Sequence, residues 1–391
     1  MSTMTSGITA KQHEARHLLQ VYGQLPIEPD AAKGVYLHCG NRRILDLYGG
    51  HAVAALGYGH PELLDALQIQ ARTLFFQSNA IALEVRARAA DALADFAPAG
   101  LDRVFFVNNG AEANENALRL ACRLTGRRRI AAIEHGFHGR TAAAGAVTWG
   151  AAGRWYGFPD KPFDVDFIVR DSAQSAAAAI GDETAAVIVE LVQGVAGAFD
   201  LDPAFVRAIT QACARHGAIL IVDEVQTGIG RCGESFASKL YGVAPDILTT
   251  AKSLGGGFPC GAVLTTPEVA RSAGPGDLGT TFGGGPLACA LIERVISIIQ
   301  RDNLMGNVRE LHERLADALP AGPVTGLQGK GFLIGLRCRR AAAEIQTQLL
   351  ERDILVGTSA DPNVIRLLPP LLLEARHIDH FISTLVALPE T

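Results

Sequence analysis

The stretch AILIVDEVQTGIGRCG, residues 218–233, decides the fold. Five apolar residues run without interruption and stop at Asp223 and Glu224, and a glycine-rich turn follows. A short apolar run closed by a polar turn reads as a strand buried on both faces. Open α/β sheets bind ligands at the carboxyl ends of their strands. The two carboxylates therefore stand where one could hold a cation or a protonated ring nitrogen, or cap the next helix.

Similar runs lie on both sides in the chain: RVFFV (103–107), RIAAIE (129–134), DFIV (166–169), AAVIVEL (185–191) and DILTTA (246–251). Ala- and Arg-rich stretches between them, 111–125, 172–180 and 203–215, have helical character. This alternation predicts an α/β fold with a mostly parallel central sheet covered on both faces. Near residue 295 the pattern changes. A long helix is expected from about 287 to 318, then GKGFLIGLRC (329–338), a helix near 340–352, ILVGT (354–358), VIRLLPP (364–370) and a last helix near 375–387. That tail reads as a smaller α+β unit. The N-terminal segment shows hairpin character around Gly40-Asn41 and is too small to bury a core alone. The expected division is 1–57 packing with the small unit, a large domain over 58–295, and a small domain over 296–391.

The chain has 391 residues, 48% of them hydrophobic, and a formal net charge of −5. Its pI near 6.1 gives no basic footprint for nucleic acid. The seven cysteines are scattered, which argues against a disulfide framework or a cysteine-rich zinc site. The 11 histidines are dispersed, so no metal site is expected. No signal peptide and no membrane-length apolar run is visible, and a cytoplasmic protein is expected.

Several strand ends carry chemistry. In VFFVNNGAEANENALRLA (104–121) the Asn108-Asn109-Gly110 turn leads into a helix from about Ala111. A helix N-terminus has unpaired N–H groups and favours an anion such as phosphate, although Asn and Gly are also ordinary caps. EHGFHGRTAAA (134–144) offers the aromatic Phe137, the imidazole of His138 and the guanidinium of Arg140. TTAKSLGGGFPCG (249–261) holds Lys252, one of only six lysines, before three glycines. Burial lowers a lysine pKa and makes it a better nucleophile, whereas a solvated loop lysine does nothing special. GTTFGGGPLA (279–288) adds two hydroxyls. An anion site, a carboxylate for a ring nitrogen, an aromatic face, an amine and a carboxylate clamp together match the needs of pyridoxal phosphate (PLP).

At this point the chain resembles the class III aminotransferases, PLP enzymes of fold type I, and most closely their acetylornithine/ornithine branch. The resemblance runs from VYGQLPIEP (21–29) to VIRLLPPLLLE (364–374), through LDLYGGHAVAALGYGHP, VNNGAEANENALRLA, FHGRT, VDEVQTGIGR, AKSLGGGFPCGA and TTFGGGPLACA. It implies that Lys252 is the covalent attachment point and proton shuttle. Asp223 would pair with the pyridine nitrogen, with Val225 and Phe137 on the two ring faces and Gln226 at the ring hydroxyl. His138 joins them as a cofactor contact. Asn109, Gly110 and Ala111 would hold the phosphate, with Thr281 reaching it from a second copy in a homodimer of shared sites. Thr280 would lie near substrate. Arg140 would take the α-carboxylate of a donor that reacts through its terminal amine. Arg366 would take that of glutamate or 2-oxoglutarate, and Glu190 would neutralise Arg366 in one half-reaction.

The chain departs from the family pattern EPxQGEGG, which reads ELVQGVAGA here, with Leu191 for Pro and Val195 for Glu. Gly285 and Gln24 are further departures. The expected reaction moves the terminal amine of N2-acetylornithine to 2-oxoglutarate. Ornithine, succinylornithine, succinyl-diaminopimelate or another ω-amine remain as donors. A racemase or isomerase of the same family, and a non-catalytic PLP-binding protein, remain as other readings.

Overall fold

A computed structural model describes residues 9–390. Its centre is a seven-stranded sheet. In spatial order the strands are Arg103–Val107, Gly261–Thr265, Ile247–Thr250, Ile219–Asp223, Thr184–Val189, Arg129–Ile133 and Asp164–Ile168. Every neighbouring pair is parallel except the two made by Gly261–Thr265. The inner strand Thr184–Val189 is buried at every position. Its β-branched Val187, Ile188 and Val189 suit a strand covered on both sides.

The covering helices start and stop where their ends demand. Helix Gly110–Thr125 is capped by the Asn109 side chain, which accepts from the Glu112 amide, and it ends at left-handed Gly126. Helix Pro203–His216 begins with Asp202 as cap and Pro203 in the first turn, and ends at Gly217. Apolar faces of these helices join the strands in buried clusters on the two sides of the sheet.

A second sheet is antiparallel throughout, in the order Val324–Lys330, Leu333–Cys338, Val364–Leu367, Gly357–Thr358. A third begins with Ala31–Lys33, Tyr36–Cys39 and Arg42–Asp46, and Ile354–Leu355 pairs parallel to the last of these. The hairpin at Gly40-Asn41 is present, with Cys39 opposite Arg42. Residues 1–8 of the expected N-terminal segment lie outside the described residues.

One expectation needs correction, and two stretches without a predicted element gain one. The single helix expected over 287–318 is two, Pro286–Arg301 and Leu304–Asp317, because Asn303 adopts a left-handed φ of 50° and turns the chain. GKGFLIGLRC carries the corner of a hairpin, with left-handed Gly331 at the turn, and its second strand Leu333–Cys338. The stretch GAVLT, for which the sequence predicted no element, is the antiparallel strand Gly261–Thr265. Among the described residues no helix is long and apolar enough to cross a membrane.

Candidate active site

At the carboxyl ends of the central strands lies a cavity of about 670 Å³. Five of the seven strands deliver parts of it. Asp223 ends its strand, Glu190 directly follows Val189, Asn109 lies two residues past Val107, and Lys252 lies two past Thr250. Phe137, His138 and Arg140 come from the loop after Ile133. The lining includes Asn109, Gly110, Ala111, Phe137, His138, Arg140, Glu190, Asp223, Val225, Gln226 and Lys252.

The floor is a buried polar network. Asp223 is 3% exposed. One of its oxygens, Oδ2, faces His138 Nδ1 at 2.7 Å and accepts from Asn114 Nδ2 at 2.7 Å. The other, Oδ1, accepts from the Val225 amide at 3.0 Å. Asn114 is held in turn, donating to the His138 carbonyl at 2.8 Å and accepting from Thr249 Oγ1 at 2.6 Å. The carboxylate thus cannot swing away from the cavity. Its neighbour Glu224 points to the other side and is fully used. It accepts from Thr227, from the Ala237 amide and from both amide and hydroxyl of Ser238. Of the two adjacent carboxylates, one serves the cavity and the other caps helix Ala237–Tyr241.

Above the floor, Lys252 sits at the start of a short turn with a left-handed φ of 47°. Its amine makes no ion pair among the described residues. Burial drives its pKa well below the ordinary lysine value, although the charges of Glu190 and Asp223 oppose this. Gly110 opens the helix N-terminus beside Val225; a Cβ there would stand 2.6 Å from a Val225 methyl. The amides of Gly110 and Ala111 belong to the first helical turn, which lacks intrahelical acceptors. Gln226 is buried, and its Oε1 has no partner.

Two arginines differ sharply. Arg140 is exposed and lies over the rings of Phe137 at 5.4 Å and Trp155 at 5.6 Å. Arg366 is 7% exposed. It donates to the Thr358 carbonyl at 2.8 Å, the Gly194 carbonyl at 3.1 Å and the Tyr48 hydroxyl at 2.8 Å. The direct pairing of Glu190 with Arg366 is absent. Glu190 accepts from the amides of Phe137 at 2.8 Å and Gly194 at 3.2 Å, so the Gly194 peptide stands between the two groups. Burial raises the Glu190 pKa.

Thr280 and Thr281 do not line their own chain's cavity. Thr280 accepts from Asn108 Nδ2 at 3.0 Å, and Thr281 is exposed. Reasoning from sequence missed Asn114, Tyr22 and Tyr48. Asn114 carried a usable signal: it is a polar residue on the otherwise apolar buried face of helix Gly110–Thr125. Tyr22 and Tyr48 carried none, because they reach the site from the distant N-terminal segment.

Comparisons with known proteins identify the family and the fold. The family model for class-III aminotransferases matches residues 20–388. The acetylornithine aminotransferase of Archaeoglobus fulgidus is 37% identical over 381 residues, 96% of this chain and 99% of that protein. A structure of acetylornithine aminotransferase from Elizabethkingia anophelis superposes with a TM-score of 0.86 at 27% identity, covering 96% of this chain and 97% of that one. A structure of the Toxoplasma gondii ornithine aminotransferase, with partial occupancy of PLP at its active site, gives a TM-score of 0.88 at 26% identity, covering 97% and 95%.

Proposed function

Because this chain belongs to the class-III aminotransferases, we propose that it moves the terminal amine of N2-acetylornithine, or of a close diamino acid, to 2-oxoglutarate. The products are the semialdehyde and glutamate, and the cofactor is pyridoxal 5′-phosphate. The observation that carries the reading is one cavity lined jointly by Lys252, Asp223, Phe137, Val225 and Arg140.

The residues fit PLP on several counts. A fixed carboxylate suits a pyridine nitrogen, and a helix N-terminus opened by a bare glycine suits a phosphate. The buried, unpartnered Gln226 Oε1 suits a ring hydroxyl. Bound there, PLP supplies an electron sink that makes the amine-bearing carbon acidic. Lys252 Nζ takes and returns the proton at that carbon. Asp223 keeps the ring nitrogen protonated, and its bonds to Asn114 and His138 hold it in line. Phe137 and Val225 fix the plane. Asn109, Gly110 and Ala111 bind the phosphate.

Arg140 binds the donor's α-carboxylate between its two aromatic faces, and Arg366 binds that of 2-oxoglutarate. Glu190 acts on Arg366 through the Gly194 peptide. Thr281 completes the phosphate site of a second copy and Thr280 borders that copy's substrate; their position away from their own cavity supports a homodimer with shared sites. In this reading residues 58–295 form the cofactor-binding domain, and 296–391 with 1–57 the smaller unit that brings Arg366. The similarity to ornithine aminotransferase keeps ornithine as the second donor to weigh.

The test is a coupled glutamate assay with 2-oxoglutarate and a donor panel of acetylornithine, ornithine, succinylornithine and succinyl-diaminopimelate. Acetylornithine is expected to lead. Glutamate from ornithine alone would reassign the donor, and none from any donor would remove the transaminase reading.

A further inference from the structure

Arg366 is buried, yet its hydrogen bonds all go to neutral acceptors, two carbonyls and one hydroxyl. Among the described residues no carboxylate lies within ion-pair distance of it. Glu190 acts on it only at a distance, its carboxylate being held by the Phe137 and Gly194 amides. Val195 lines the cavity directly after Gly194, whose carbonyl takes Arg366, and the Val195 carbonyl holds the Ala360 amide. Burying an uncompensated charge is costly, so the site is built to receive an anion.

The third acceptor identifies what holds the guanidinium. An arginine can only donate, so Tyr48 Oη must accept from Arg366 Nη2. The hydroxyl's own hydrogen is then free for His51 Nδ1, 2.9 Å away. In this arrangement the hydroxyl donates to His51 Nδ1, which accepts, and the ring hydrogen sits on Nε2. Partial burial, followed by the charges of Arg366, Lys252 and Arg140, lowers the His51 pKa and so favours the neutral ring.

The backbone is shaped to make this contact. Gly49, Gly50, His51 and Ala52 form four consecutive left-handed residues, with φ of 55°, 58°, 63° and 69°. Two of the four are not glycine, and such conformations persist only where surrounding structure enforces them. Here the Asp46 carboxylate takes the amides of Tyr48 and Gly49, and Ser253, next to Lys252, donates to the Ala52 carbonyl. The Tyr48 ring needs Gly357 beside it, since a Cβ there would come within 1.9 Å of the ring.

We propose that Tyr48 and His51 are positioning residues for Arg366, forming a neutral relay that makes it a standing, permanently charged carboxylate receptor. The inference rests on the reading of Arg366 as the oxo-acid site. In this chain Val195 lines the wall beside the receptor and Glu190 reaches Arg366 only through the Gly194 backbone, so no carboxylate of its own occupies the receptor and an unreactive dicarboxylate binds the resting holoenzyme.

The test is calorimetric binding of glutarate, which has neither amine nor ketone, to the holoenzyme and five variants, with thermal melts checking that each is folded. Val195→Glu sets a carboxylate beside the receptor and should weaken glutarate binding about tenfold or more; Val195→Gln, matched in shape, should change it less than about threefold. Tyr48→Phe removes Arg366's acceptor and should weaken binding about fivefold. His51→Leu should weaken it about threefold, and His51→Gln, which can still accept, should restore most of the loss. Equal effects of Glu and Gln at position 195, or unchanged binding by a folded Tyr48→Phe protein, would overturn the inference. A transaminating enzyme that does not bind glutarate overturns the inference alone. Glutarate binding without transamination from any donor overturns the proposed function and leaves the receptor standing.

Discussion

The floor and the rim of the cavity are built in opposite ways. On the floor, Asp223 is tied by His138, Asn114 and the Val225 amide, and Asn114 is tied again by Thr249. These groups come from the central sheet, the helix Gly110–Thr125 and the loop after Ile133. At the rim, Arg140 touches only two aromatic faces, and Arg366 has only neutral partners. Asp223 and Asn114 cannot be turned without stranding a buried polar atom, so the floor suits one permanent occupant. Uncompensated cations suit visitors that arrive and leave. A ping-pong reaction, with one resident cofactor and two alternating carboxylate substrates, needs both kinds of construction.

The comparison breaks most severely at its centre. Lys252→Ala removes the amine while leaving the Asp223 network untouched. Turnover should fall about 10⁴-fold or more, the upper range for loss of a proton-transferring group. Borohydride treatment followed by peptide mass spectrometry should find the cofactor fixed to Lys252 in the parent protein and to no residue in the variant. A labelled variant would take the attachment role away from Lys252.

The rim should respond selectively. Arg140→Gln removes a charge-assisted clamp worth about 1.5–3 kcal/mol, so the donor KM should rise about 10- to 100-fold. The KM for 2-oxoglutarate should stay within about twofold, because Arg366 lies on a different element. If both constants rise together, the two arginines are not separate receptors and the division of the rim is wrong.

How much of this was readable beforehand follows the same line. The floor was legible because its residues sit at the ends of short apolar runs, and parallel sheets expose those ends to ligands. Even there, pattern could not separate Asp223 from Glu224; the choice depends on which way each side chain leaves the strand and on the helix Ala237–Tyr241 that receives one of them. The direction of Gly261–Thr265 was hidden too, since an apolar run carries no sign of parallel or antiparallel pairing. The break at Asn303 was masked by apolar spacing that resumes after it. The rim was the least legible part. Tyr48, His51, Gly194, Thr358 and Arg366 meet from three distant stretches, and the left-handed run from Gly49 to Ala52 contains two residues with no special preference for it.

The smallest expected effect concerns how the two regions share charge. Burial disfavours the Lys252 ammonium, while Glu190 and Asp223 favour it, and burial prevails, bringing its pKa from 10.5 down to about 8. In cofactor-free protein, acylation of Lys252 by a small reagent, followed by peptide mass spectrometry, should therefore rise with pH through a midpoint near 8. An exposed lysine would keep rising toward about 10.4. The sign can be checked by a second variant. Glu190→Gln removes a negative charge that stabilises the ammonium, so the neutral amine should appear at still lower pH and the midpoint should fall further. An upward shift would mean that the hydrogen bonds of Glu190 to Phe137 and Gly194, rather than its charge, set the environment of the amine. Floor and rim would then be coupled through the backbone, and the separation drawn between them would fail at the residue where they meet.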